Sequence, residues 1–412
     1  MKILWLSHLV PYPPKGGVLQ RSYNLVHEIS KHHDLTLLAF IQPALIKSRL
    51  SSMDAGLEEA YQHLSKYCES VVFIDIPCEH TKFGKYQLAL KSLFTADPYT
   101  INWLKSDAMR TAISDIKNKS DFDLVHFDTI SLAPYIDEFP KVAKALDHHN
   151  IESHMMLRRV ANERNLLKKF YYYLEGKKLY RYEKKVCSQF DLHLTCSLLD
   201  AERLNGIDAT LNIEEIPNGV DVDYFVPQPE NEIAKHLIFA GSLNWYPNKD
   251  AMLFFINEIW PLLKKEMSGI TMNIVGTSPS AELLKLTSDD PGLKLHGFVD
   301  DVREYISSAS IYVCPIRDGG GTKLKILDSF AMGMATVAHP IACEGIDVED
   351  GVNVLLASTP DEFVEKILLL IKNKELRNSL GKNARQTAIK KYAYTAIGEN
   401  LSNQYLRIVE AI

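Results

Sequence analysis

The feature that most constrains this chain is its rhythm: short apolar runs alternate with longer amphipathic segments from end to end. Lys2–Leu6, Leu35–Phe40, Ser70–Ile76, Leu124–Phe127, Ala143–Asp147 and Leu192–Cys196 read as strands, each separated from the next by a stretch of helical character. Strands spaced by helices predict parallel βαβ units with right-handed crossovers, and hence a doubly wound sheet. A second set follows at His236–Ala240, Met272–Val275, Leu293–His296, Ile311–Cys314 and Ala335–Ala338. At 412 residues the chain exceeds one ordinary core. The expected fold is α/β, with two doubly wound Rossmann-like domains facing a central cleft. Residues 1–222 form the first domain, and 223–235, with Pro227, Pro229 and several charges, form a linker. Residues 236–392 form the second domain, and 393–412 a last helix that crosses back to the first. Ligands of such sheets bind beyond the carboxyl ends of the strands, so the cleft is the expected site.

Composition excludes several classes. A net charge of −6 argues against a nucleic-acid partner, whose footprint would be basic. The six cysteines are scattered, with no metal or redox spacing, and read as reduced thiols. The opening MKILWLSHLVPYP lacks the long apolar stretch and small-residue cleavage site of a signal peptide. With no run of about 20 apolar residues either, the expected location is the cytoplasm, at the inner face of the membrane. The reason for the membrane is the segment 151–190, which carries ten Lys and Arg against four Glu, interleaved with the aromatic block Phe170–Tyr173. A basic, aromatic helix suits the surface of an anionic bilayer. The competing reading is a long domain helix with a solvated basic face.

The strongest chemical signal is Pro315-Ile-Arg-Asp-Gly-Gly-Gly-Thr-Lys-Leu-Lys-Ile-Leu-Asp328, which follows the strand Ile311–Cys314 and is expected to open a helix near Thr322. Gly319, Gly320 and Gly321 let backbone approach a ligand closely, and the helix start offers unpaired N–H groups. Lys323 adds a cation, so the pocket suits a diphosphate. Asp328, further along the helix, can accept hydrogen bonds from vicinal hydroxyls such as those of a ribose. The run is neither GxGxxG nor a Walker A loop. No metal site is expected: Asp289-Asp290 and Asp300-Asp301 lack a strand-end setting and read as loop or cap acids.

Four stretches in this order resemble glycosyltransferase family 4, the retaining enzymes of GT-B fold: Pro13-Pro-Lys-Gly-Gly17, Asp147-His-His-Asn-Ile-Glu152, Ile216-Pro-Asn-Gly-Val-Asp221 and Gly319–Gly333. A fifth, Gly241-Ser-Leu-Asn-Trp-Tyr-Pro-Asn-Lys-Asp250, resembles a branch associated with bacterial surface polysaccharides. The resemblance implies that His149 is the active-site histidine touching the donor sugar. It also implies that Gly16 and Gly17 form a loop approaching acceptor and donor phosphate, with Arg21 one turn on, placed to meet an anionic acceptor. The family's Glu-x7-Glu pair is replaced by Gly320 and Asp328, with Asp318 a substitute for the first acid. Its usual Arg is replaced by Ser242, beside Gly241, so Lys249 or Lys323 is expected to supply the cation. His126 and Asp128 are second-tier candidates on the same side.

The implied activity is metal-independent, retaining transfer of a sugar from a nucleotide-diphosphate donor to a glycan or lipid-linked acceptor in surface-polysaccharide synthesis, with no cofactor. The catalytic roles fall to His149 and Lys323, and the donor-binding roles to Gly319, Gly320, Gly321, Thr322, Asp328, Asp318, Lys249 and Gly241. Two other readings stand beside it. One is a nucleotide-sugar epimerase on the same fold, with Glu152 as its acid/base candidate. The other is a non-catalytic nucleotide-sugar-binding or scaffold subunit.

Overall fold

A computed structural model describes residues 1–14, 17–47, 52–163, 165–319 and 321–411. Gly16 and Gly320 lie outside the described residues. The chain divides into two compact units, Met1–Pro217 with Ile397–Ile412, and Asn218–Ala396.

The first unit carries a seven-stranded sheet in the order β3-β2-β1-β4-β5-β6-β7. Its strands are β1 (Lys2–Ser7), β2 (Asp34–Ile41), β3 (Ser70–Asp75), β4 (Leu124–Phe127), β5 (Ala143–His148), β6 (Leu192–Thr195) and β7 (Ile213–Glu215). Every pairing is parallel. The two-residue period of a strand divides its apolar side chains between two cores. Leu4 and Leu6 of β1 join one core with Ile101, Met109 and Ile113, while Ile3 and Trp5 join the other with Leu25, Val26 and Ile29. Burial on both faces explains why the central strands read as continuous apolar runs.

The second unit carries a six-stranded parallel sheet, β10-β9-β8-β11-β12-β13. Its strands are β8 (His236–Ala240), β9 (Thr271–Val275), β10 (Leu293–His296), β11 (Ile311–Cys314), β12 (Thr336–Ala338) and β13 (Leu355–Leu356). In each unit the chain builds outward from one central strand, then returns to build on its other side. The order therefore reverses between β1 and β4, and again between β8 and β11. Ligands are expected beyond the carboxyl ends of such strand pairs.

Three expectations change. Residues 223–235 belong to the second unit and are tied to it. The Arg385 guanidinium donates to the carbonyls of Val222, Phe225 and Ala331, Arg377 pairs with Glu232 at 2.6 Å, and Ile233 N–H donates to Ser308. Prolines and charges made this segment resemble a linker, but the arginines that hold it lie up to 160 residues away in sequence. The chain instead passes between units at Pro217–Asn218 and Ala396–Ile397. The basic segment 151–190 is two helices, Glu152–Asn162 and Leu166–Val186, the second capped by Asn165, whose side chain accepts from the N–H groups of Leu167 and Lys168. Finally, the helix after the glycine loop is Leu324–Ala331, starting two residues later than expected.

The last helix, Tyr394–Glu410, buries Ile397, Leu401, Tyr405 and Ile408 in the core of the first unit. Their spacing of four, four and three puts them on one helical face. The Tyr405 hydroxyl lies 2.6 Å from Nδ1 of His126, whose ring stacks on Trp5. His126 is thus a buried packing residue rather than a site residue.

Candidate functional site

In the first unit, the reversal point gathers polar side chains from three strand ends. Ser7 ends β1 and His8 follows it, Asp128 follows β4, and His149 follows β5. Asp128 is fully buried and is their hub. Its Oδ2 accepts from Ser7 Oγ and His8 Nδ1, both at 2.8 Å, and its Oδ1 pairs with His149 Nε2 at 2.8 Å and accepts from Ser22 Oγ at 3.2 Å. Burial alone would raise the Asp128 pKa, yet the two imidazoles hold it well below the usual carboxylate range. Burial alone would lower His149, but the Asp128 charge and hydrogen bond outweigh it and the histidine is raised. The result is a buried anion that favours a protonated, partly exposed imidazole.

Arg21 is not where an acceptor could meet it. The side chain is 2 % exposed, and its guanidinium forms a two-point pair with Asp147, 2.9 Å on each arm. It also donates to the carbonyls of Ile216 and Pro217. This arginine sits on a buried helix face and locks β5 to the Ile216–Pro217 segment that follows β7, so the anionic-acceptor role is withdrawn. Gly17 is the first residue of the helix Gly17–Ser30. Glu152 starts the helix Glu152–Asn162, and its pKa is raised by burial against the opposing charges of His149 and Arg159.

In the second unit, the reversal point is built of backbone and glycine. Gly241 follows β8, and a Cβ there would lie 2.8 Å from Lys325 Cε and 2.9 Å from Asn248 Nδ2. Gly319 and Gly321 have φ of 98° and 73°, the left-handed region that favours glycine. A Cβ on Gly319 would also press on Pro247 at 2.8 Å. Asp318 accepts from the Gly319 N–H at 2.6 Å, folding the turn onto its own side chain. Lys323 is 2 % exposed, with its ammonium donating to the carbonyls of Gly319 and Gly321 at 2.7 and 2.8 Å. It braces the loop from within. Lys249 lies 3.8 Å from Glu282, an exposed pair at the neighbouring helix.

Several polar groups here have no partner among the described residues. Thr322 Oγ1, Asn248 Oδ1 and Arg317 Nε are buried without a hydrogen bond, a condition that calls for a ligand or water. The Asp328 carboxylate makes no side-chain hydrogen bond among the described residues, and burial pushes its pKa up to about 7 against the pull of Lys325. Lys325 is the residue the sequence reading missed. It lies three residues before Asp328, hence on the same helix face, and its ammonium is 5.7 Å from the Trp245 ring centre. The i, i+3 spacing of Lys325 and Asp328 was the available signal.

Among the described residues, three groups have metal-ligating atoms within 4.8 Å of one another: His8, Asp128 and His149; His126, Asp128 and Asp147; and His148, Cys187 and His193. In each, donor atoms are already engaged with protein. Asp128 holds both its histidines, Asp147 holds Arg21, and His148 Nε2 faces His193 Nδ1 at 3.0 Å.

Comparison with known proteins bears on both units. Residues 234–373 match the family described as Glycosyl transferases group 1. A 44.6 kDa protein of the cps region of Klebsiella pneumoniae is 23% identical over 385 residues, 90% of this chain and 91% of that one. Among solved structures, HepE of Anabaena in complex with UDP has a TM-score of 0.66 at 16% identity, covering 99% of this chain and 100% of that one. Sucrose-phosphate synthase of Thermosynechococcus elongatus has a TM-score of 0.69 at 13% identity, with both chains covered to 100%. The group 1 match spans the strands and glycine loop of the second unit, where this chain is similar to the glycosyl transferases of that family, and the likeness of fold runs the full length, so the chain has the GT-B fold.

Proposed function

We propose that this chain is a retaining glycosyltransferase that moves a sugar from a nucleotide-diphosphate donor, a UDP-sugar first among them, to a glycan or lipid-linked acceptor in cell-surface polysaccharide synthesis. The observation that carries this reading is the second unit's reversal point, where a braced glycine loop adjoins an unpartnered carboxylate, Asp328, and a cation, Lys325. Solved HepE complexes contain UDP and UDP-glucose, which favours uridine as the first base to try. The likeness to a cps-region protein supports the polysaccharide setting.

In this mechanism the loop N–H groups and Lys325 stabilise negative charge as it develops on the leaving diphosphate. Lys323 acts by positioning, holding the loop carbonyls back so that the N–H groups face the ligand. Asp328 accepts from ribose hydroxyls. The bond from the anomeric carbon to the diphosphate oxygen breaks, and that carbon bonds to the acceptor oxygen on the same face. The acceptor proton passes to the departing diphosphate. Protonated His149, oriented by Asp128, donates to a hydroxyl of the donor sugar. No metal is needed in this scheme, because backbone and lysine supply the electrostatic stabilisation.

The test is donor turnover. Purified protein is incubated with UDP-, GDP- and ADP-sugars in EDTA, and slow donor hydrolysis is followed by NMR. Release of one nucleotide with retained anomeric configuration is the expected result. Inverted product, or turnover that EDTA abolishes, refutes the mechanism. Donor binding with no turnover toward any acceptor offered favours a non-catalytic subunit.

A further inference from the structure

Two helices of the first unit carry unusual surfaces, and only one of them was visible as such in sequence. The helix Gly84–Leu93 and its flanks expose Phe83, Tyr86, Leu90 and Phe94, at 61, 75, 62 and 84 %. Their spacing of three, four and four lines them along one face. From Lys82 to Ala96 the sequence has no acid, while Lys82, Lys85 and Lys91 are all exposed.

The helix Leu166–Val186 presents a matching face. Leu166, Phe170, Tyr173, Lys177, Tyr180 and Lys184 follow one another at alternating spacings of four and three, and all are exposed. Leu167, beside this line, is 83 % exposed. The opposite face buries Glu175, Leu179, Glu183 and Val186. Both acids of this helix are therefore turned inward, Glu175 accepting from the N–H groups of Tyr99 and Thr100, and Glu183 from that of Ser153.

The two helices are joined. The Lys178 ammonium donates to the carbonyls of Ser92, Leu93 and Thr95 at 2.7, 3.0 and 2.7 Å, which caps the end of the first helix with a residue of the second. Glu175 meanwhile caps the short helix Tyr99–Trp103 that follows it. Two helices that each expose an apolar stripe among lysines are thus tied together, on a chain whose net charge is −6.

We infer that this surface, Phe83–Phe94 together with Leu166–Lys184, docks the first unit on an anionic lipid bilayer. The exposed aromatic and leucine side chains enter the interface while the lysines meet lipid phosphates. Charge complementarity selects the occupant: a protein partner would find cations and almost no exposed acids to pair, whereas an anionic leaflet offers the matching field throughout. The inference does not depend on which sugar or nucleotide the chain uses.

Vesicle co-sedimentation tests it. The full chain is mixed with vesicles of phosphatidylcholine alone and with vesicles containing about one-quarter phosphatidylglycerol. Enrichment on the anionic vesicles that weakens with salt is expected, and the variant F83S/Y86S/L90S/F94S should bind at least about tenfold more weakly. The charge reversal K82E/K91E, which leaves the apolar stripe intact, should also weaken binding, and it serves if the quadruple variant fails to fold. Equal binding to both vesicle types overturns the inference, as does binding that neither variant changes. Self-association in sedimentation velocity that the stripe variant abolishes, without vesicle binding, would assign the surface to a second copy and overturn it as well.

Discussion

The two reversal points use the same sheet position in opposite ways. In the first unit, the charged groups at the strand ends are engaged with one another, and the unpartnered atoms there, His126 Nε2 and Trp5 Nε1, lie in the core beneath them. Asp128 holds two histidines and two serines, and Arg21 is fixed on Asp147. In the second unit, the loop is held open by glycine and braced by Lys323, Thr322 Oγ1 and Asn248 Oδ1 are buried without partners among the described residues, and the half-buried Asp328 carboxylate stands beside Lys325. The first is a finished electrostatic device that sets the charge on one imidazole. The second is a frame awaiting polar atoms from elsewhere. A ligand bound at the second site would therefore change protein hydrogen bonding far more than one touching His149.

Four substitutions test this contrast. The largest effect is expected from Arg21→Ala, which strands the buried Asp147 charge and should cost about 3–5 kcal/mol in urea unfolding. A loss below about 1 kcal/mol would mean the pair relaxes into solvent, against its 2 % exposure. Gly319→Ala strains a φ of 98° and meets Pro247, so donor affinity by calorimetry should fall about tenfold or more. Unchanged affinity would remove the loop from the site.

Asp128→Asn tests the finished device through pH. His149 is raised in the fold, so its share of stability is full below the unfolded imidazole value of about 6.5 and is lost as pH climbs through its higher folded value. Asp128 is depressed, so its share is present above about 3.9 and is lost as pH falls through its lower folded value. The pair stabilises most between roughly pH 4 and 6.5. The difference in melting temperature between wild type and Asp128→Asn should peak there and shrink toward pH 9; a flat difference would contradict the coupling.

Asp328→Asn should show an effect of the opposite sign, the variant being the more stable protein at high pH. With Asp328 raised to about 7, its share of stability is present below the unfolded value and lost as pH rises through about 7. The asparagine variant should gain on the order of 1 kcal/mol over wild type at pH 8, after allowing for solvent screening, and less at pH 5. Donor affinity should fall at the same time. A variant that is both more stable and a poorer binder is the signature of a site kept at a cost to folding.

How much of this was legible in sequence followed burial. Central strands lie between two cores, so β1, β4 and β8 appear as unbroken apolar runs, and their bounds were read to within a residue. The sheet edges β7 and β13 did not, because Ile213-Glu-Glu215 and Leu355-Leu356 are too short and too little buried to carry a pattern. The glycine loop was legible because its chemistry is local. The Asp128 hub was only half so, since it depends on Ser7 and His8, 121 and 120 residues distant, brought near by the β1–β4 pairing. Lys323 and Arg21 misled for the same reason: a cation's sequence position says nothing of which carbonyl or carboxylate will hold it.

The path of the chain has a consequence for its synthesis. Residues 218–396 are one continuous insertion within the first unit, and Ile397, Leu401, Tyr405 and Ile408 fill that unit's core. On the ribosome, the second unit can therefore close while the earlier one still exposes the seat of its missing helix, including the Tyr405 partner His126. A stop codon placed just after Ala396 would leave every residue of the second unit intact, and the damage would appear some 180 residues upstream, in the unit made first.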